Sequence, residues 1–135
     1  MVFVDTNIFM YAAGTESPQK KPSLRYLTKI IASGSATLAF TSSEVLQEIL
    51  HRYRSIGKAE QANTLIAYIM QLGITILSVT KEDVFLAQRI LAATTKLSTR
   101  DGMHAAVAMR NNLSRIVSYD RDFDLISDIR RIEPK

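Results

Sequence analysis

Short β-favouring apolar runs alternate with helical segments along this chain of 135 residues. The runs are Val2–Val4, Ala36–Phe40, Ile74–Val79 and Arg115–Ser118, and Ile132 is a candidate for a last edge strand. The intervening sequence predicts helices over residues 8–13, 22–32, 41–57, 59–72, 81–94 and 98–109. Strands that are separated by helices indicate a parallel sheet covered on both faces and joined by right-handed crossovers. The predicted class is therefore α/β, with a mostly parallel central sheet of four to five strands.

The first predicted strand, Val2–Val4, stops abruptly on an acidic residue, Asp5. In open α/β sheets, ligands bind in the crevice beyond the carboxyl ends of the strands, so an acid at this position is a candidate for chemistry. Taken alone, Asp5 is more simply explained as a turn residue that helps to cap the helix over residues 8–13. The functional interpretation depends on whether further acids recur at equivalent junctions.

Acidic residues do recur at the other predicted junctions. Glu44 or Glu48 follows the second strand, Asp101 opens a helix, and Asp120 follows the fourth strand. Because the carboxyl ends of parallel strands share one edge of a sheet, these residues are expected to converge with Asp5. A cluster of like charges is costly unless cations neutralise it, and a few carboxylates suffice to hold Mg²⁺ or Mn²⁺. We therefore predict a divalent metal site whose carboxylates are kept ionised by neighbouring helix N-termini.

Each acid also has a structural explanation. Glu44 stands at capping-box spacing from Thr41 and is better explained as a cap. Glu48, one turn further along what is predicted to be the polar face of the helix, is therefore the preferred glutamate. Asp101 stands at the same spacing from Ser98, and for Asp101 the two explanations remain open.

Other ligand patterns fit less well. Asp120, Asp122 and Asp124 have the spacing of the first ligands of a calcium loop, but the glycine and the glutamate that such a loop needs are absent. Neither histidine has a second histidine at a metal-binding interval. We interpret His51 as a surface residue and His104 as a packed helical residue, and leave both out of the metal site.

Composition limits the class of protein. A hydrophobic content of 47% and a charged content of 22% match a soluble globular protein, and the length suits one domain spanning residues 1–135. No stretch is apolar and long enough to span a bilayer, and the strand-like start lacks the features of a secretory signal. The absence of cysteine excludes disulfides and thiolate metal sites. These features predict a cytoplasmic protein without membrane association.

An oxygen-only metal site favours metal-assisted hydrolysis of phosphodiester bonds, in which water attacks phosphorus in line. The net charge of +4 agrees with this chemistry. If the acids are concentrated in one pocket, the remaining surface is more basic than the total implies. Such a surface suits the backbone of a nucleic acid.

Four motifs in fixed order span almost the whole chain. They are Val4-Asp5-Thr6-Asn7, Ser43-Glu44-Val45-Leu46-Gln47-Glu48, Arg100-Asp101-Gly102-Met103-His104-Ala105-Ala106 and Ser118-Tyr119-Asp120-Arg121-Asp122-Phe123. With these motifs the chain resembles a PIN-domain ribonuclease of the VapC toxin type. The resemblance implies a three-layer α/β/α sandwich and a Mg²⁺- or Mn²⁺-dependent endoribonuclease that cuts RNA. It also implies a homodimer and inhibition by a small cognate antitoxin whose C-terminal segment lies along the toxin groove.

The resemblance also assigns the site residues. The four acids of the family site fall on Asp5, Glu48, Asp101 and Asp120, each as a catalytic residue and metal ligand, with Asp122 as an auxiliary ligand. Thr6 and Asn7 match the polar residues that hold the first carboxylate or a metal-bound water. One departure is Gly102, where alanine is common, and glycine there is expected to weaken the helix start by less than about 1 kcal/mol.

Two other functions use the same features. A non-catalytic PIN-like module would use its basic surface and its groove to bind RNA or a partner. A phospho-accepting signalling domain would also have a parallel sheet and an acidic Mg²⁺ pocket, but it carries paired acids after its first strand, whereas Asp5 stands alone. The endoribonuclease, as the toxin of a toxin-antitoxin pair, is the leading hypothesis.

Overall fold

A computed structural model describes residues 1–135 as six α-helices and five β-strands. The strands are β1 (Val2–Val4), β2 (Ala39–Ser42), β3 (Thr75–Leu77), β4 (Arg115–Val117) and β5 (Arg130–Ile132). The helices are α1 (Thr6–Ala13), α2 (Lys20–Ala32), α3 (Ser43–Ser55), α4 (Ala59–Gln71), α5 (Lys81–Ala93) and α6 (Thr99–Arg110). Short 3₁₀ turns occupy Ser35–Leu38 and Arg121–Leu125. None of the helices combines the length and the apolar character needed to cross a membrane.

The five strands form one sheet in the order β3-β2-β1-β4-β5, and every neighbouring pair is parallel. The predicted α/β class with a parallel sheet is confirmed, including the edge strand around Ile132. Strand β1 lies at the centre of the sheet. Because Val4 pairs with Val117, the next residues of the two strands, Asp5 and Ser118, leave the sheet side by side.

The core fills the space between the sheet and the helices. Phe3, Val4, Ile116 and Val117 of the central strands are fully buried. Helix α6 is buried over residues 105–108, which are small and apolar, so neighbouring elements approach it from several sides. The middle of helix α6 is therefore buried on all sides, and its polar residue His104 is fully buried as well.

Two predicted boundaries around β2 are wrong. The strand predicted over residues 36–40 begins only at Ala39, because Gly34 adopts a left-handed conformation (φ 66°) and leads into a 3₁₀ turn. Thr41 does not cap α3. Its hydroxyl donates to the Val4 carbonyl oxygen (3.0 Å), and Ser42 is the capping residue, accepting a hydrogen bond from the Val45 backbone N–H.

Candidate active site

The carboxyl ends of β1, β2 and β4 bring the predicted acids to one edge of the sheet. Asp5 follows the central strand directly and caps α1, since its side chain accepts a hydrogen bond from the Thr6 backbone N–H. Helix α3 begins immediately after β2 and carries Glu48 on its second turn. Helix α6 supplies Asp101, and Asp120 lies three residues beyond the end of β4.

The deepest part of the site contains Asp5, Glu48 and a residue that the sequence analysis left out, His104. These side chains are almost completely buried, at 4%, 5% and 0% exposure. The Nε2 atom of His104 lies 3.0 Å from Glu48 Oε2 and 3.9 Å from Asp5 Oδ1. The other ring nitrogen, Nδ1, is buried without a hydrogen-bond partner. All polar contacts of the imidazole are therefore made on the side of the acids and Thr6, and we call Asp5, Glu48 and His104 the inner group.

Both carboxylate oxygens of Glu48 have polar partners. The hydroxyl of Thr6 donates to Oε2 (2.5 Å), the same oxygen that His104 contacts. The Oε1 atom lies 3.1 Å from a guanidinium nitrogen of Arg52 and 3.9 Å from one of Arg100. Glu48 lies on the predicted polar face of α3 and is buried there, whereas His51, three residues further along the helix, is exposed. Thr6 therefore holds Asp5 through its backbone and Glu48 through its side chain.

Ser118 connects Asp5 to Asn7 and Asp120 through hydrogen bonds. Its hydroxyl donates to Asp5 Oδ2 (2.6 Å) and accepts hydrogen bonds from the Asn7 side-chain amide and the Asp120 backbone N–H, both at 2.9 Å. The Asn7 side-chain oxygen accepts in turn from the Tyr119 backbone N–H (3.3 Å). Asn7 therefore supports Asp5 through Ser118 and does not contact the carboxylate directly.

Asp101, Asp120 and Asp122 form an outer group. One carboxylate oxygen from each lies within 4.8 Å of the others, and exposure increases from the half-buried Asp101 and Asp120 to the exposed Asp122. The Asp120 carboxylate also accepts a hydrogen bond from the Asp122 backbone N–H (2.9 Å). The Asp101 backbone N–H donates to the Ser98 hydroxyl (3.1 Å), so Asp101 takes part in a helix cap and in the acidic group at once.

The two groups interact electrostatically. Burial raises the pKa of the Asp101 carboxyl to about 6, and the nearby charges of Asp5 and Asp120 act in the same direction. Burial also raises the pKa of Asp5, although His104 and Ser118 oppose that shift. Burial therefore opposes the ionisation of these two carboxyls, whereas the helix N-termini are predicted to favour it.

The pKa of Glu48 is lowered and the pKa of His104 is raised, because each residue stabilises the charged form of the other. Burial favours the neutral form of Glu48, but the hydrogen bonds from His104 and Thr6 outweigh it and lower the pKa of the carboxyl. Burial likewise opposes protonation of His104, and the hydrogen bond to Glu48 with the charges of both inner acids raises the pKa of the imidazole. When His104 is protonated, the inner group contains its own cation, whereas no cationic side chain forms an ion pair with the outer group.

The donor set fits a hard divalent cation. All candidate ligands in the outer group are carboxylate oxygens, which is the chemistry that Mg²⁺ and Mn²⁺ prefer. Burial, together with the charges of Asp5 and Asp120, disfavours the ionised form of Asp101, and a bound cation would favour that form. The role of each acid as a ligand stays a prediction. Glu44 does not join either group, because its carboxylate pairs with Arg100 (3.6 Å), and His51 is exposed as predicted.

Sequence reasoning missed two residues of this site, His104 and Ser118. His104 follows Asp101 by three residues on α6, so the two share a helix face, and this spacing was the available signal. Ser118 stands at the end of β4, in register with the residue after Val4. Both were visible as polar residues in otherwise apolar segments.

Comparisons with known proteins match the chain to one family model and to ribonucleases of similar length. The PIN domain family model matches residues 2–129 of the chain. Ribonuclease VapC13 from Mycobacterium tuberculosis is 35% identical over 132 residues, which cover 98% of this chain and 99% of the relative.

Two solved structures share the fold. VapC20 from Mycobacterium tuberculosis, a toxin that cleaves the sarcin-ricin loop, superposes with a TM-score of 0.77 at 19% identity, over 94% of this chain and 95% of that chain. VapBC2 from Rickettsia felis, bound to a DNA fragment from its promoter, also gives a TM-score of 0.77, at 18% identity and with full coverage of both chains. At these identities the likeness concerns the arrangement of helices and strands.

Proposed function

This chain belongs to the PIN-domain family, and on that basis we propose that it is a metal-dependent endoribonuclease that hydrolyses RNA phosphodiester bonds. The observation that carries the proposal is the concentration of five acids at one edge of the sheet in a chain of net charge +4. The proposal also rests on the 35% identity to a curated ribonuclease along nearly the full length of both chains.

We assign the metal to Asp5, Asp101 and Asp120, with Glu48 as a further ligand and Asp122 as an auxiliary one. A bound Mg²⁺ or Mn²⁺ would supply Lewis acidity, lowering the pKa of a water molecule and stabilising charge on the phosphate. Both Glu48 oxygens already accept contacts. Because Oε1 contacts only the exposed Arg52 side chain and the more distant Arg100, an ion would bind Oε1 by displacing these guanidinium groups.

The other residues of the site position the acids. Ser118 and the Thr6 backbone fix the two oxygens of Asp5, so its carboxylate has one defined orientation. The Thr6 hydroxyl and His104 fix Glu48 Oε2. Preorganisation of this kind reduces the cost of bringing ligands of like charge together when an ion binds.

We further propose that residues 1–135 form one nuclease domain and that the protein is the cytoplasmic toxin of a toxin-antitoxin pair. Its curated relative carries the name of a VapC ribonuclease, and the fold is shared with a VapBC assembly. A small cognate antitoxin and a homodimer are the expected partners.

The test is cleavage of a mixed structured RNA pool by the purified protein in Mg²⁺, in Mn²⁺ and in chelator. We expect cleavage only with metal, and we expect Asp101→Asn to reduce it to the level seen in chelator while the fold is retained. Asp128→Asn is the matched control, because Asp128 is exposed and belongs to neither acidic group.

Cleavage by Asp101→Asn at the wild-type rate would refute the site assignment. If no metal supports cleavage while RNA or partner binding is intact, the chain is instead a non-catalytic binding module.

A further inference from the structure

The guanidinium of Arg131, in strand β5, contacts the loop that follows β4. The Arg131 side chain is only 12% exposed. Its Nε and Nη2 atoms donate to the two carboxylate oxygens of Asp124, at 3.0 and 3.2 Å. Its Nη1 atom donates to the Ser118 carbonyl oxygen (3.1 Å) and to Glu133 Oε2 (2.8 Å). One side chain therefore joins both ends of the segment from Ser118 to Asp124, which we call the acidic loop.

Strand β5 holds both backbone polar groups of Ser118, at the first end of the acidic loop. The Ser118 backbone N–H donates to the Ile132 carbonyl oxygen (3.0 Å), and its own carbonyl oxygen accepts the hydrogen bond from Arg131. The Ser118 hydroxyl, in turn, contacts Asp5 and the backbone N–H of Asp120. The position of Ser118 thus determines where two of the acids lie, and Arg131 is one of the groups that fix it.

The acidic loop carries two of the three acids of the outer group, Asp120 and Asp122. Within the loop, the Asp122 backbone N–H donates to the Asp120 carboxylate (2.9 Å). At the far end, Asp124 forms a bidentate pair with Arg131, a contact that fixes direction as well as distance. Arg131 therefore connects the loop to β5 on both sides of its acids.

The charge of Arg131 is offset outside the acidic groups. Its carboxylate partners, Asp124 and Glu133, belong to neither group. By its charge alone, a cation near a predicted metal site would weaken the binding of a divalent ion. A favourable effect of Arg131 on metal binding would therefore have to come from the geometry that it imposes on the loop.

We propose that Arg131 is a positioning residue of the active site, which holds the acidic loop so that Asp120 and Asp122 present their carboxylates to a divalent cation together with Asp101. The inference rests on the proposed function, because it concerns the metal site of that function. The simpler alternative is that Arg131 only stabilises the edge strand β5. In that case its replacement lowers stability and leaves the metal affinity of the folded protein unchanged.

The experiment is a calorimetric titration of the full chain with Mn²⁺ in the absence of RNA, at a temperature where each variant is folded by circular dichroism. We expect Arg131→Gln to weaken Mn²⁺ binding about tenfold, the lower end of the range for residues that orient metal ligands. Arg131→Lys keeps the charge but cannot form the planar, paired contact, so it should also weaken binding.

Arg130→Gln is the matched control. Arg130 is the preceding residue of β5, its side chain is exposed, and its backbone N–H donates to the Ser114 carbonyl oxygen (2.7 Å), a contact that glutamine retains. This variant loses the same charge from the same strand. Its Mn²⁺ affinity should equal or slightly exceed that of the wild type, the direction that charge alone predicts.

Amide hydrogen exchange in chelator gives a second measurement that needs no metal. The backbone N–H groups of Asp120 and Asp122 donate to partners within the acidic loop. In Arg131→Gln they should exchange several-fold faster than in the wild type, because the loop opens locally. The amides of the central strand β1 should keep their wild-type rates.

Replacement of the partner residue tests the same contact without changing β5. Asp124→Asn removes the bidentate pair and should shift Mn²⁺ affinity and loop exchange in the same direction as Arg131→Gln, by a smaller factor. Asp128→Asn is its control, because Asp128 is exposed and loses the same charge shortly after the loop.

Mn²⁺ affinity and loop exchange in Arg131→Gln equal to those of Arg130→Gln would overturn the inference. Exchange that accelerates equally in β1 and in the loop would also overturn it, because only overall stability would have changed. The two proposals fail separately. Mn²⁺ binding that depends on Arg131, without metal-dependent RNA cleavage, contradicts the proposed function alone, and cleavage with Mn²⁺ binding that no Arg131 variant changes contradicts this inference alone.

Discussion

Replacement of His104 by leucine should destabilise the metal-free protein although leucine fills a similar volume. His104 is fully buried and its Nε2 lies 3.0 Å from Glu48 Oε2. His104→Leu removes this donor and leaves a carboxylate that is only 5% exposed with fewer partners. The cost therefore comes from the loss of one partner of a buried charge and not from a cavity.

The magnitude follows from the remaining contacts of Glu48. A hydrogen bond to a charged group contributes about 1.5–3 kcal/mol, and breaking a buried pair by removing one partner costs about 3–5 kcal/mol. Glu48 keeps the Thr6 hydroxyl on Oε2 and Arg52 on Oε1, which moderates the loss. We expect a decrease of about 2–3 kcal/mol in the free energy of unfolding, or roughly 7–10 °C in Tm for a chain of this length.

The effect should depend on pH in a defined direction. The pKa of Glu48 is lowered from 4.5, so its contribution to stability is present above that value and is lost as the pH falls through the folded pKa. The pKa of His104 is raised from 6.5, so its contribution is fully present below 6.5 and is lost as the pH rises through the folded pKa. The difference between wild type and His104→Leu should therefore be greatest between pH 4.5 and 6.5 and should decrease on both sides.

The assay is urea denaturation in chelator at a series of pH values. His51→Leu is the control, because His51 is exposed on α3 and its replacement should change stability by less than about 0.5 kcal/mol. A loss in His104→Leu no larger than that of the control, or a loss that does not vary with pH, would refute the ion-pair explanation.

Three further results are expected. Ser118→Ala should lower the free energy of unfolding by about 1–3 kcal/mol in urea titrations, because it leaves buried polar groups of Asp5 and its neighbours unpaired. Gly102→Ala should lower the free energy of unfolding by about 1 kcal/mol, because a Cβ atom at Gly102 would lie 2.8 Å from the Leu91 side chain. Helix propensity alone predicts a gain in stability instead. A higher Tm in this variant would show that Leu91 moves aside freely. Mn²⁺ affinity measured by calorimetry should fall about tenfold per pH unit below about pH 6, where Asp101 takes up a proton, and Asp101→Asn should remove that segment of the pH profile.

The general position of the site could be predicted from the sequence because a parallel sheet brings its strand ends to one edge. Asp5 can be recognised from the sequence because it directly follows an apolar strand, and Asp120 can be recognised because it lies shortly after β4. The sequence left two explanations open for Asp101, and the structure shows that they involve different atoms. Its backbone N–H donates to the capping residue Ser98, whereas its carboxylate belongs to the outer group.

The inner group could not be predicted, because it depends on how helices pack. A helical pattern places Glu48 on the polar face of α3, and it does not show that Glu48 is buried among neighbouring elements while His51 is exposed. His104 has no partner at a fixed sequence interval, since Glu48 lies 56 residues away. The Gly102 expectation was incomplete for the same reason: local helix propensity carries no information on the approach of Leu91 from α5.

The most direct measurement is cleavage of an RNA substrate in ¹⁸O-labelled water with Mg²⁺, followed by mass spectrometry of the new ends. Hydrolysis by an activated water predicts one ¹⁸O atom in each newly formed terminal phosphate, and no product in chelator. Ends that carry a 2′,3′-cyclic phosphate without ¹⁸O, or products that form equally in chelator, would contradict a metal-dependent hydrolase at this acidic site.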